Sequence, residues 1–595
     1  MSSKHFITDA TYLVDSALQA LVLTNPSIAV DTENKIIYRI TSSDSTAAQV
    51  SIVSGGGSGH EPSFGAFVGR GLLSAAVAGS IFASPSALQV QIALMSRVDT
   101  KEGILVIIMN YTGDVLNFGM AVEKAKAAGL NVRLIVVGDD VGVGRKSSGR
   151  VGRRGIAGTV LVHKISSALA ARKANLDEVY QAAKLTSDNL VSIGASLAHV
   201  HIPGQVNLDQ NPEMALGPEE VEVGMGIHNE FGSSRAQTNL PTLVKNMISQ
   251  LLDLEDPDRS YLKVDSKDVV LLINNLGGLS VLELHGITFE VTKQLKQAYN
   301  IKPVRVYAGT YMSSLNGPGF SISLLNVVSL PNGHPSMLEL LDDPAEATGW
   351  SAPIKKETWD MVSNPNLPYE KPALYQHELS PSGLKFNQEL TNSKLTAALE
   401  RLILAEPEVT RYDTVVGDGD CGIGLKRCAR AILKLLSSMT LSGDVVLYLI
   451  KIILVVEKNL DGTSGALYTI FLNSLACSLR SQGTCVDTEI TPKIWALALK
   501  LSCENLKNYT PAQPGDRTLV DALYPFVETL KETENLRDAA IAARKGAQRT
   551  KGMKARLGRA VYVGGFGYEQ VPDPGAWGLS EFLLGLAGVN ADEPI

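Results

Sequence analysis

The chain carries 595 residues, with 54 Lys and Arg against 61 Asp and Glu and a formal charge of −7. That balance excludes the basic surface on which nucleic-acid binding rests. Hydrophobic residues at 45% against 19% charged exclude disorder as the main state, and the length predicts several domains or subdomains of about 150 residues each.

The opening stretch, MSSKHFITDATYLVDS, lacks the apolar core of a secretion signal. QVSIV at 49–53 predicts a strand, followed by Ser-Gly-Gly-Gly-Ser-Gly-His60-Glu-Pro. The stretch 71–96 is uncharged, but Pro85, Gln89 and Gln91 make it a turn plus a buried helix and not a membrane span. ILVIIM at 104–109 predicts a strand ending in Asn-Tyr-Thr-Gly-Asp114, and VLNFGMAVEKAKAAG after it a helix. VRLIVV at 132–137 predicts a strand ending at Gly-Asp139-Asp140, and 269–273 another ending in Asn-Asn-Leu-Gly-Gly. Continuous apolar strands separated by helices predict a mostly parallel sheet. Such sheets bind ligands beyond the carboxyl ends of their strands. Those ends carry the glycines, His60, Asp114, Asp139 and Asp140.

The 55–59 glycine loop is neither GxGxxG nor GxxxxGK[ST]. A tight strand-to-helix turn and a small-molecule cradle both fit it. In EEVEVGMGIH at 219–228, apolar residues alternate with Glu222, Gly224, Gly226 and His228. This period of two sets His228 opposite the apolar face, as a surface histidine or as a ligand group. His199 and His201 invite a metal reading, but no further ligands at matching spacing accompany them.

All nine His lie between His5 and His377, and all five Cys between Cys421 and Cys503. This segregation predicts two domains meeting between 350 and 390. An odd number of Cys without CxxC predicts reduced thiols and a cytoplasmic protein. From about 386 the pattern is helical, with Leu390, Leu395, Leu399, Leu402 and Ile403 forming one apolar stripe. Similar stretches near 423–438, 445–457, 465–480, 491–505 and 519–530 predict a helical bundle. The 445–456 run is apolar but short and carries Lys451, so it reads as a buried helix. Asp413, Asp418 and Asp420 place three carboxylates within eight residues, among glycines that allow a sharp bend. No His lies in this part, so a metal there takes oxygen ligands and is Mg²⁺ or Ca²⁺; a solvated acidic turn is the other reading. Thr463-Ser464-Gly465 opens an apolar helix and offers amide N–H groups to an anion.

A set of motifs in order resembles the ATP-dependent dihydroxyacetone kinases of the fungal, two-domain kind. They are Ser54-Gly-Gly-Gly-Ser-Gly-His60-Glu-Pro62, Phe82-Ala-Ser-Pro-Ser86, Asn110-Tyr-Thr-Gly-Asp114, Val151-Gly-Arg-Arg-Gly155 and Gly224-Met-Gly-Ile-His228-Asn-Glu230. Ser314-Leu-Asn-Gly-Pro-Gly-Phe320, Val416-Gly-Asp-Gly-Asp-Cys421, Gly462-Thr-Ser-Gly-Ala-Leu-Tyr468, Gly515-Asp-Arg517 and Pro572-Asp-Pro-Gly575 complete the set. The resemblance implies an α/β substrate domain of two subdomains over 1–350, a linker over 351–385, and an all-α helical-barrel nucleotide domain over 386–595. It implies that His228 attacks the carbonyl carbon of a ketotriose to form a hemiaminal, which selects ketones and aldehydes over glycerol. Gly57, Ser58, Gly59 and His60 would wrap the substrate, and Asp114, assisted by His60, would take the proton of the attacking hydroxyl. Asp413, Asp418 and Asp420 would ligate Mg²⁺. Asp420, Cys421, Gly422, Ser464, Gly465, Arg517, Asp573, Pro574 and Gly575 would surround ATP. The partners implied are the small-molecule substrates dihydroxyacetone and glyceraldehyde and a second copy of the chain, with no nucleic acid and no membrane.

The chain also departs from the family pattern. Met109 stands where Lys is usual, Ile423 and Gly424 where a hydroxyl pair is usual, Phe64 near a common His, and Phe231 for a usual Pro. Two alternatives therefore accompany the kinase reading. One is an FAD-AMP lyase forming cyclic FMN, as in animal relatives. The other is a catalytically impaired paralogue that binds ketotriose.

Overall fold

The structure is a computed structural model. It describes residues 4–40, 48–204, 215–264, 268–361, 381–439, 443–483, 487–557 and 567–589. The chain divides into two compact units, Met1–Pro368 and Tyr369–Ile595. Most of the expected linker, with His377, lies outside the described residues, as does Cys485. The four described cysteines are unpaired thiols.

The first unit holds two six-stranded sheets. In the first, strands Ala75–Ile81, Ser51–Ser58, Ile104–Met109 and Val132–Val137 lie side by side and parallel. A short antiparallel pair, Ile28–Asp31 and Ile36–Arg39, extends one edge. All six residues of Ile104–Met109 are buried because helices cover both faces of the sheet. Leu105, Ile107 and Met109 enter one core; Ile104, Val106 and Ile108 enter the other. Each such buried side chain contributes about 1.5–3 kcal/mol over its exposed state.

The second sheet corrects the parallel expectation. Val269–Asn275 pairs in parallel only with Arg305–Gly309, and the remaining pairings are antiparallel. The apolar run was legible, but the direction of its neighbours depends on long connections with no local signature. Of the two readings of the 55–59 loop, the turn is corrected: Gly55, Gly56 and Gly57 continue the Ser51–Ser58 strand, fully buried, and the bend comes only at Gly59. The alternation read through 219–228 forms a strand only over Glu220–Val223. Gly224, at φ +76°, then turns the chain and carries His228 out of the sheet.

In the described part of the second unit, helices dominate: Gln388–Val416, Cys421–Ser438, Val445–Asn459, Gly462–Gln482, Pro492–Leu506, Val520–Thr533, Leu536–Arg549 and Pro574–Leu586. The last two had no stretch assigned from sequence. Leu536–Arg549 buries Ala539, Ala540, Ala543, Gly546 and Ala547 together with Arg544, a stripe too weakly apolar to stand out. No helix among the described residues is long and apolar enough to cross a membrane.

Candidate functional site

Two histidines from different sheets meet in the first unit. His60 follows the Ser51–Ser58 strand and is fully buried; His228 follows the Glu220–Val223 strand and is partly exposed. Their Nε2 atoms lie 3.0 Å apart. His60 Nδ1 faces the Ser313 carbonyl at 3.0 Å. His228 Nδ1 faces Glu230 Oε1 at 3.0 Å, and its backbone amide donates to Glu230 Oε2 at 2.9 Å. His60, Phe82 and Tyr111 each stand edge-on to the His228 ring, at 4.8, 5.3 and 4.6 Å between centroids. The ring is therefore boxed in and aimed.

Burial and the neighbouring His228 push His60 down to about 3. Burial alone would raise the Glu230 carboxyl, but the hydrogen bonds and charge of His228 outweigh it and hold it at about 2. Asp114, in the first turn of helix Thr112–Ala127, is pushed up to about 6 by burial, against a hydrogen bond from Ser84 and the charge of His228. Its Oδ1 is buried and has no hydrogen-bond partner. A carboxylate that remains ionised near neutrality with a vacant acceptor atom is suited to take a proton from a bound hydroxyl.

The glycine loop packs against the 82–83 segment too closely for side chains. A Cβ on Gly57 would stand 2.7 Å from the Ala83 amide nitrogen, and one on Gly59 would stand 2.7 Å from Cε1 of Phe82. Gly59 also sits at φ +101°, where a side chain is strained. The Ser58 hydroxyl donates to the Gly79 carbonyl across the sheet at 2.8 Å. A cavity of about 460 Å³ lies on another side of the loop, lined by Gly56, Gly57, Ser58 and Phe64 and by Leu18 and Leu21, and His60, Asp114 and His228 do not line it.

Glu230, Tyr111, Phe82 and the Ser313 carbonyl received no role from sequence. Phe82, Tyr111 and Glu230 stood within the motifs of the resemblance, and Glu230 also as an acid two residues beyond His228. His199 is buried with Glu222 at 3.4 Å, and His201 faces His5. Neither joins a metal cluster among the described residues.

Met109 has 1% exposure and packs in the apolar core; its Cβ would lie 2.7 Å from a Cβ on Gly155. Met109→Lys is therefore expected to lower the melting temperature, because an ammonium must enter that core. Its Michaelis constant for a ketotriose should not improve. Thermal unfolding and steady-state kinetics on this one variant check it, and a lowered constant with unchanged stability would overturn the placement.

The second unit gathers the carboxylates. Asp413 lies in the last turn of Gln388–Val416, and Asp420 precedes Cys421–Ser438. Gly419, at φ +77°, makes the bend between them. Asp413, Asp418 and Asp420 each offer an oxygen, and these lie within 4.8 Å of one another. Asp413 Oδ2 also accepts from the Cys421 amide at 2.9 Å. Burial, Asp413 and Asp573 push the Cys421 thiol up to about 12, with a hydrogen bond from Ser464 opposing them. Cys421, Asp413, Asp573 and Ser464 therefore share one neighbourhood, built from four helix ends.

Asp573 caps Pro574–Leu586 by accepting from the Ala576 amide at 2.7 Å. Burial raises its carboxyl to about 7; Arg517 lowers it while Asp521 and Asp413 raise it further. Gly465 has the Leu460 carbonyl against its missing side chain, and Gly422 has Thr410 there. Arg517 is turned inward and donates to the Val571 and Met553 carbonyls at 2.8 and 3.3 Å. It braces the segment before Asp573. An all-oxygen donor set in so acidic a neighbourhood fits Mg²⁺ and not a thiolate-bound metal.

An α/β unit with a boxed, acid-held histidine, joined to a helical unit with a carboxylate cluster, defines a phosphotransferase class. The Dak1 domain matches residues 19–349 and the DAK2 domain residues 415–588. The chain is 44% identical to the dihydroxyacetone kinase of Pichia angusta, over 99% of this chain and 98% of that protein. It is 42% identical to dihydroxyacetone kinase 2 of Saccharomyces cerevisiae, over 98% and 99%. The human triokinase/FMN cyclase is 32% identical over 99% of this chain and 100% of that protein. The crystal structure of the dihydroxyacetone kinase of C. freundii in complex with AMP-PNP and Mg²⁺ superposes with a TM-score of 0.60 at 30% identity, covering 99% of this chain and 100% of that one. The chain belongs to the family of two-domain dihydroxyacetone kinases.

Proposed function

We propose that the chain transfers the γ-phosphoryl group of ATP to dihydroxyacetone, and to glyceraldehyde, at the groups described above. The observation that carries this is the His228 ring, held at Nδ1 by Glu230 and boxed so that Nε2 faces His60. His228 Nε2 bonds to the carbonyl carbon, and the carbonyl oxygen becomes a hydroxyl. Asp114, assisted by His60, takes the proton of the terminal hydroxyl as that oxygen attacks the γ-phosphorus, and ADP leaves. Glycerol has no carbonyl and is not held. Gly57, Ser58, Gly59 and His60 enclose the ketone.

Residues 1–350 are assigned to the ketotriose, 386–595 to the nucleotide, and 351–385 to the linker. Asp413, Asp418 and Asp420 would hold Mg²⁺. Asp420, Cys421, Gly422, Ser464, Gly465, Asp573, Pro574 and Gly575 would line the nucleotide, with Arg517 bracing them. Mg²⁺ neutralises charge on the transferred phosphoryl group when bound. The reading extends to a cytoplasmic homodimer, as the family resemblance implies.

Cyclisation of FAD to cyclic FMN is less favoured, because the relatives named triokinase/FMN cyclase are 32–33% identical and the yeast dihydroxyacetone kinases 41–44%. ADP release is the test. It is expected with dihydroxyacetone and glyceraldehyde, at background with glycerol. Equal rates with glycerol, or cyclic FMN from FAD and Mn²⁺ without kinase activity, would overturn the reading.

A further inference from the structure

The contacts of His60 and His228 fix their protons. Each Nδ1 faces a group that only accepts: the Ser313 carbonyl for His60 and the Glu230 carboxylate for His228. Both Nδ1 atoms therefore carry hydrogen. In two neutral imidazoles this would leave two bare Nε2 lone pairs facing each other at 3.0 Å, a repulsive contact. A hydrogen bond at that distance needs one more proton between them.

We infer that His60 and His228 share one proton beyond the two of neutral rings, that Glu230 keeps it there, and that this proton becomes the hydroxyl proton of the hemiaminal. Glu230 is thus a positioning residue that sets the charge of the pair. The inference rests on the carbonyl-capturing reading of His228 and deepens it.

The surroundings agree. Around the pair stand Glu230, Asp114, Tyr111, Arg154 with Asp140, and Glu61. Arg154 is bidentate on Asp140 Oδ2, at 3.0 and 2.7 Å, which matches that cation with an anion. Burial pushes the Tyr111 phenol well above its usual range, so it stays neutral. Glu61 accepts from the Gly59 amide. Among these groups only Glu230 bonds to either ring. Glu230 bonds to the His228 ring and not to the His60 ring, so the shared proton rests on the His228 side.

The chemistry balances. The shared proton passes from His228 Nε2 to His60. The freed lone pair bonds to the ketone carbon, the C=O π pair goes to oxygen, and His60 returns the proton to that oxygen. The ring, now bonded to carbon at Nε2 and to hydrogen at Nδ1, keeps the single positive charge that the pair began with. Glu230 faces the same charge throughout, so capture demands no proton from solvent.

The test is a ring-¹⁵N spectrum of histidine-labelled full chain at neutral pH without ligand, with the two rings assigned by His60→Asn and His228→Asn. Three protonated nitrogens across the pair are expected. Two, one on each ring, would overturn the proposal whatever the substrate proves to be. Glu230→Gln should move the loss of the third proton to lower pH by about one unit or more, a tenfold change in proton affinity. A residue that only supported the fold would leave that midpoint where it is, and an unchanged midpoint would remove Glu230 from the proposal. If this variant fails to fold, the wild-type spectrum decides alone. Adding dihydroxyacetone to the same sample reads the capture step separately. Three protons with no adduct would contradict His228 as the nucleophile and leave the proton count standing.

Discussion

Asp114→Asn is expected to cut turnover with dihydroxyacetone by about 10²–10⁴-fold, the usual contribution of a positioned proton acceptor, and to raise the melting temperature at neutral pH. The two effects share one cause. The carboxyl is held at about 6 against 3.8 for an exposed one, chiefly by burial. Between those values the native chain binds more protons than the unfolded chain, so stability falls as pH rises. The stabilisation from this group is fully present below about pH 4 and is lost by about pH 6. At neutral pH the ionised carboxylate therefore costs on the order of 3 kcal/mol, at about 1.4 kcal/mol per unit. Asparagine has no such charge. Thermal unfolding of both proteins at pH 7 and near pH 4 separates the effects: the variant's advantage should vanish at the lower pH. The wild-type rate should fall as pH drops through about 6, since the base is then protonated. An unchanged rate in the variant would remove Asp114 from the chemistry.

Asp418→Asn should lower turnover by about 10²-fold or more, because metal neutralisation supplies several kcal/mol and each 1.4 kcal/mol is about tenfold. Asp418 is exposed, so the melting temperature should barely move. Capture of the ketone should also survive, since its residues lie in the other unit. Chelation of Mg²⁺ from the wild-type chain should reproduce the kinetic loss without the substitution. If Asp418→Asn lost ketone binding as well, the assignment of the two reactions to two units would be wrong.

Sequence patterning made some of this architecture legible and left other parts hidden, for physical reasons. Ile104–Met109 was visible because burial on both faces leaves no polar residue in it. The Cys421–Ser438 helix was visible from its apolar stripe. The start of the Ser51–Ser58 strand was legible, but its continuation through Gly55–Gly57 was hidden because those glycines resemble a turn, although in the sheet they leave room for Phe82 and Ala83. Asp413, Asp418 and Asp420 could be grouped because they are close in the chain and a glycine bends between them. His60 and His228 are 168 residues apart and come from different sheets; no spacing rule pairs them, and only the resemblance brought them together. Arg517 was likewise brought in by the resemblance alone. The resemblance placed it around the nucleotide, and the structure shows its guanidinium, on a left-handed backbone at φ +61°, donating to main-chain carbonyls.

The central claim is that His228 carries the substrate as a covalent adduct. A crystal structure of the full chain with dihydroxyacetone and no nucleotide tests it most directly. Continuous density between His228 Nε2 and the ketone carbon is the expected result, with a tetrahedral carbon bearing a hydroxyl. A planar ketone lying free in the site, or one attached to His60, would contradict the account.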